Sequence, residues 1–174
     1  MCASWNNSVP ASNHIKYPSV LVTGGTGFVG AYIIRELLQR GYTVHATRRQ
    51  HSKMPFFIDR RWLDAVQWLD ADLLDLVALE DAMQGVDAVI HAAAMVSFDA
   101  DQRREMYATN VQGTANVMNL AIERSVSRVV YISSVAALGR TEHGEQVDER
   151  SQWSQSRLHT HYSISKQMAE MEVW

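Results

Sequence analysis

Apolar and polar positions follow two rhythms along this chain. Ser19-Val-Leu-Val-Thr23 is a short apolar run that meets a glycine cluster, the pattern of a strand. From Phe28 to Arg40 the apolar residues fall at Val29, Ile33, Ile34, Leu37 and Leu38, which is helical spacing, and Gly41 follows as a cap. Further strands are expected at Tyr42 to Thr47, Val66 to Leu69, Ala88 to His91 and Arg128 to Ser133. Further helices are expected at Asp75 to Met83, closed by Gly85, and at Asp101 to Arg124. Gly139 to Arg157 is polar and reads as loop, and Thr160 to Trp174 resumes helical character.

Strands that alternate with helices specify a parallel sheet wrapped on both faces, because each crossover between parallel strands is right-handed. The fold class expected is therefore α/β, a doubly wound parallel sheet with about five strands, spanning residues 18–174. Residues 1–17, rich in Asn and Ser, are expected to form a flexible segment ahead of it.

Composition narrows the function. The 174 residues are 47% hydrophobic and 20% charged, with a net charge of -3, which is ordinary for one globular domain. That balance supplies no basic footprint for nucleic acid and no polybasic stripe for a membrane surface, so a small-molecule substrate is the expected partner. Cys2 is the one cysteine, so neither a disulfide framework nor a thiolate metal cluster is expected, and no metal site is assigned. The first residues lack a cationic start and an apolar core, and no apolar run approaches the roughly 20 residues of a spanning helix. A cytoplasmic location is expected.

Chemistry enters at Thr23-Gly-Gly-Thr-Gly-Phe-Val-Gly30. The loop satisfies G-x-G-x-x-G at Gly25, Gly27 and Gly30, and G-x-x-G-x-x-G at Gly24, Gly27 and Gly30, between a strand and a helix. Such a loop, with Thr26, Phe28 and Val29 completing it, gives a bare backbone and a helix amino end to a pyrophosphate. A nicotinamide dinucleotide is the expected ligand. At the end of the second strand an acid would bind a ribose 2′-hydroxyl, whereas arginine accommodates a 2′-phosphate. The chain reads Arg48-Arg49, with no carboxylate there, which favours NADP over NAD.

Tyr162 and Lys166 stand four residues apart on the last expected helix, so both project from one face. A neighbouring cation stabilises phenolate and lowers the tyrosine pKa towards the working pH, as proton exchange with a substrate hydroxyl or carbonyl requires. Ser133 and Ser134 end the fifth strand at the carboxyl edge, where open parallel sheets bind ligands.

In this order the pieces resemble the extended branch of the short-chain dehydrogenase/reductase superfamily, whose Rossmann-type enzymes include epimerases, dehydratases and reductases. The matching segments are Thr23 to Gly30, Asp72-Leu73, His91-Ala-Ala-Ala94, Asn110-Val-Gln-Gly-Thr114, Ser133-Ser134 and Tyr162 to Lys166. The resemblance implies that Asp72 and Leu73 border the adenine and that His91, Ala92, Ala93 and Ala94 line the cofactor. It also implies that Lys166 holds the nicotinamide ribose, that Ser134 and Tyr162 are catalytic, and that Asn110 kinks its helix and joins the proton relay. A homodimer through the long helix and the Tyr162 helix is implied too.

The extended enzymes run to about twice this length, so the chain is expected to lack two further strands and the substrate lobe, and to expose an unpaired fifth strand that promotes association. Three functions stay open: an oxidoreductase interconverting a secondary alcohol and a ketone, a sugar epimerase or dehydratase, and a cofactor-binding fragment without turnover.

Overall fold

A computed structural model of the chain describes residues 18–138, 146–151, 153 and 159–174. The expectations for residues 1–17, and most of those for the loop from Gly139 to Arg157, lie outside the described residues.

Five parallel strands form the centre: β1 (Ser19–Thr23), β2 (Thr43–Arg48), β3 (Gln67–Asp70), β4 (Ala88–His91) and β5 (Arg128–Tyr131). Their spatial order is β3-β2-β1-β4-β5, so the chain winds outward from β1 to one edge, returns, and winds to the other. The reversal falls between β1 and β4, and a crevice opens there at the carboxyl ends of the strands. The doubly wound parallel sheet expected from the sequence is the fold observed.

Burial explains the reading of β1. Leu21 points to one face, into a core with Leu79, Met83, Val89, Val117 and Leu120, while Val20 and Val22 point to the other, against Ile34, Val44 and Ala46. A strand covered twice has no polar alternation to show. Helix α1 (Phe28–Gln39) covers the second face, and it ends where Gly41 and Tyr42 donate back to the carbonyls of Leu38 and Leu37. Helices α3 (Leu76–Ala82) and α5 (Gly113–Glu123) cover the first.

Three expectations need correction. A short helix, α2 (Arg60–Asp64), stands where none was expected, capped by the Asp59 carboxylate, and buries Leu63 with Ala31 and Ile58. The long helix from Asp101 to Arg124 is broken into α4 (Arg103–Tyr107), a π-helical turn (Ala108–Gln112) and α5. Strand β5 stops at Tyr131 instead of Ser133, and the chain turns through a 3-10 segment (Val135–Leu138). Helix α6 (His161–Val173), capped by Thr160, packs on that segment, on the π turn and on α4 and α5. No described helix is long and apolar enough to cross a membrane.

Candidate active site

The glycine loop is shaped by two close approaches. Gly24 has φ +71, and a Cβ there would lie 2.7 Å from the backbone of Ala93 on the β4 exit. At Gly30 a Cβ would collide with the Gly24 carbonyl oxygen and its carbon. Only bare backbone fits both positions, so β1, the first turn of α1 and the β4 exit close on one another. Gly25 packs instead towards Ala46, Ile34 and Trp68.

In front of this loop lies a cleft of about 410 Å³. Of the residues expected to hold cofactor, Gly24, Thr26, Gly27, Arg48, Arg49, Asp72, Leu73, Ala92, Ala93 and Ala94 line it. Gly25, Phe28, Val29, Gly30 and Lys166 do not, and Phe28 and Val29 are exposed at the start of α1, where Phe28 meets Tyr32 and Phe57. The amino end of α1 has no side-chain cap, which leaves its first N–H groups available to an anion. Thr47, Ser52, Met95, Glu105 and Thr109 also line the cleft, and no motif in the chain marks them as ligand-facing. Both arginines already have partners: Arg48 Nε donates to Asp70 Oδ1 at 2.8 Å, across the β2–β3 register, and Arg49 lies 3.9 Å from Glu105. A bare-backbone turn, a free helix amino end and two cations at the far wall together fit an elongated diphosphate ligand.

His91 departs from its expected place. It is fully buried and faces Thr23 and Thr114 instead of the cleft. Thr114 gives its one hydroxyl proton to the Asn110 carbonyl at 2.6 Å, so it accepts from His91 Nε2 at 3.0 Å. His91 Nδ1 then accepts from Thr23 at 2.6 Å, while the same Thr23 oxygen receives the Ala93 N–H at 3.3 Å. The imidazole is a neutral strut between β1, β4 and α5. Burial first, and the Lys166 charge second, push its pKa down to about 3.

Asn110 sits at the centre of the π turn, 2% exposed. Its Oδ1 accepts from Met95 N at 2.7 Å, and its Nδ2 donates to Met95 O and to Ser165 Oγ, each at 2.9 Å. Both amide protons are thereby committed, so the side chain ties the β4 exit to α6. The irregular turn it was expected to cause is present.

Helix α6 brings Tyr162 and Lys166 beside the 3-10 segment that follows Ser134. Tyr162 is half-buried, and Ser134 Oγ accepts from Ala136 N at 3.1 Å, a turn that fixes its rotamer. Ser133 Oγ is buried without a hydrogen-bond partner among the described residues. Lys166 is 2% exposed and donates to Tyr131 Oη at 2.6 Å and to the Ile132 carbonyl at 2.9 Å. Desolvation lowers its pKa to about 8, with Glu170 acting in the opposite direction. Among the described residues no group of three His, Cys, Asp or Glu side chains could hold a metal ion.

Known proteins share the fold and much of the sequence. Residues 20–174 match the sequence model of the NAD dependent epimerase/dehydratase family. A candidate dihydroflavonol 4-reductase of Synechocystis sp. is 40% identical over 152 residues, covering 87% of this chain and 43% of its own. Cinnamoyl-CoA reductase 1 of Petunia hybrida is 35% identical over 164 residues, covering 89% and 48%. A short-chain dehydrogenase/reductase superfamily protein of Agrobacterium tumefaciens, solved with bound NAD, superposes with a TM-score of 0.71 at 29% identity, covering 89% and 44%. The chain thus spans about half the length of the relatives it matches. It belongs to the NAD-dependent epimerase/dehydratase family, within the short-chain dehydrogenase/reductase superfamily.

Proposed function

We propose that this chain carries the cofactor-binding and proton-transferring half of an NADP-preferring oxidoreductase that interconverts a secondary alcohol and a ketone. The observation that carries the reading is convergence: α6, bearing Tyr162 and Lys166, packs on the segment that leaves Ser134, at the strand ends beside the glycine-loop cleft.

The nicotinamide cofactor, when bound, supplies the hydride acceptor or donor. The protein supplies the rest. Gly24, Thr26 and Gly27 receive the diphosphate on backbone, Asp72 and Leu73 border the adenine, and Ala92, Ala93 and Ala94 leave room along the β4 exit. Ser134 Oγ orients and polarises the substrate oxygen. Tyr162 exchanges the proton at that oxygen, and the positive charge of Lys166 stabilises the phenolate form while its remaining N–H meets the nicotinamide ribose. Arg48 and Arg49 receive the 2′-phosphate, which is the basis for preferring NADP.

A second reading within the family is an epimerase or dehydratase that uses the same hydride step transiently and returns the cofactor unchanged. It is favoured by the solved UDP-glucose 4-epimerase of Bifidobacterium longum, which superposes with a TM-score of 0.73 at 25% identity. A second copy of this chain is proposed to pair through α5 and α6, whose Ile122 and Met171 are exposed.

Binding is tested on the chain itself by tryptophan fluorescence during titration with NADPH and NADH. NADPH is expected to bind at least tenfold tighter, and equal affinities would remove the NADP assignment. Turnover is tested with NADPH and a panel of ketones, on this chain and on a chimaera that adds the remaining length of a relative it matches. Net oxidation of NADPH is expected, and a Tyr162→Phe variant with undiminished kcat would end the catalytic assignment.

A further inference from the structure

Tyr131 is absorbed by none of the roles above, yet it makes the shortest contact to Lys166. The β4–β5 register places it opposite His91, and its ring stands 5.5 Å from the imidazole. Burial pushes its phenol up to about 12, with Glu170 and Tyr162 adding to the rise. The group is therefore a neutral phenol in a socket built from β4, β5 and α5. Lys166 Nζ lies 2.6 Å from its oxygen and 4.3 Å from its ring centroid.

A buried ammonium normally requires a carboxylate, and none lies within ion-pair distance of Lys166 among the described residues. Tyr131 and the Ile132 carbonyl satisfy two of its three N–H groups with neutral oxygens. A carboxylate in that place would cancel the charge; a phenol and a carbonyl fix the nitrogen and leave the charge whole. The ring face adds attraction without neutralisation.

We propose that Tyr131 is the positioning residue of the site, anchoring the Lys166 ammonium to β5 without a paired carboxylate and with one N–H free for the cofactor. This rests on the reading of Lys166 as the cofactor-facing lysine. The titratable groups around Lys166 are Tyr131 on β5, His91 on β4, and Glu170 and Tyr162 on its own helix. On α4, Arg103, Arg104 and Glu105 are exposed, and Tyr107 pairs with His161 at the start of α6.

The chain contains three lysines, Lys16, Lys53 and Lys166, so lysine labelled with 13C at Cε gives three signals, of which Lys166→Arg assigns one. In the full chain the Lys166 signal is followed from pH 6 to 11, and NADPH affinity is measured alongside. Tyr131→Phe keeps the ring and removes the acceptor. The Lys166 midpoint is expected to fall by about one pH unit or more, the shift that accompanies loss of a hydrogen bond to a charged donor, while Lys16 and Lys53 stay. NADPH binding at pH 8 is expected to weaken several-fold.

A Lys166 midpoint that stays at its wild-type value in folded Tyr131→Phe overturns the proposal. Should that variant fail to fold, wild-type chain grown with 3-fluorotyrosine decides, because the less basic phenol must also lower the midpoint and an unmoved one overturns the proposal. A lowered midpoint with NADPH affinity unchanged in both Tyr131→Phe and Lys166→Ala supports the anchoring by Tyr131 and overturns only the cofactor-facing role of Lys166.

Discussion

Acidification should act on this fold through His91. The folded-state pKa of about 3 lies below the ordinary 6.5, so between those values the native state holds fewer protons than the unfolded chain. Stability from this group is complete above pH 6.5 and is lost as pH falls through the window towards 3. Since His91 is fully buried, solvent screening does not reduce the effect, and linkage gives a loss of about 2 kcal/mol between pH 7 and pH 5. Protonation would also turn Nδ1 into a donor facing Thr23, whose oxygen already receives the Ala93 N–H. The assay is urea unfolding followed by tryptophan fluorescence at pH 7, 6 and 5, for the wild type and for His91→Gln. Gln lowers the baseline but cannot titrate. With a slope of about 2 kcal/mol per molar urea for a chain of this size, the wild-type midpoint should drop about 1 M more than that of the variant. Equal drops would refute the reasoning, since every other titrating group is common to both.

Helices α1 and α5 end in the same geometry, but α1 places Gly41 in the left-handed region and α5 places Ser125 there, at φ 54. Ser125→Gly is expected to stabilise the fold by roughly 1 kcal/mol, read as a raised melting temperature in calorimetry. Gly24→Ala meets both a positive φ and the Ala93 backbone; a loss of about 2 kcal/mol or more and of measurable NADPH binding is expected, checked by denaturation and by fluorescence titration. Asp70→Asn releases Arg48 from its ion pair, so the ratio of NADH to NADPH dissociation constants should rise at low salt, and a ratio that falls would remove Arg48 from the 2′-phosphate assignment.

The strands and the glycine loop were legible because burial there is apolar and its period survives in the sequence. At the break in the long helix the buried positions are Asn110, Thr114 and Asn116, polar residues whose partners, Met95, His91 and Leu73, come from distant strands and loops. A pattern of apolar residues cannot reveal positions filled by satisfied polar ones. Helix α2 was missed for another reason: Arg60–Asp64 is too short to display a helical period, although its cap, Asp59, was visible. The order of the site motifs was legible, whereas the contacts of Lys166 were not, because they depend on how α6 docks after a long intervening stretch of sequence, which brings Lys166 to Tyr131 and the Ile132 carbonyl at the end of β5.

The π turn has a consequence for chain length. One additional residue is accommodated between α4 and α5, which offsets the side chains of one helix from the other by about 100° relative to an unbroken helix. Met106 and Val117, both buried, flank that turn. Removing any single residue from Ala108 to Gln112 would let the backbone anneal into regular helix with its flanks still in phase, but it would take away the wide turn that aims the Asn110 side chain at both Met95 and Ser165. This stretch is therefore intolerant of single deletions in a way its exposed neighbours are not, and its length is as much a part of the site as Asn110.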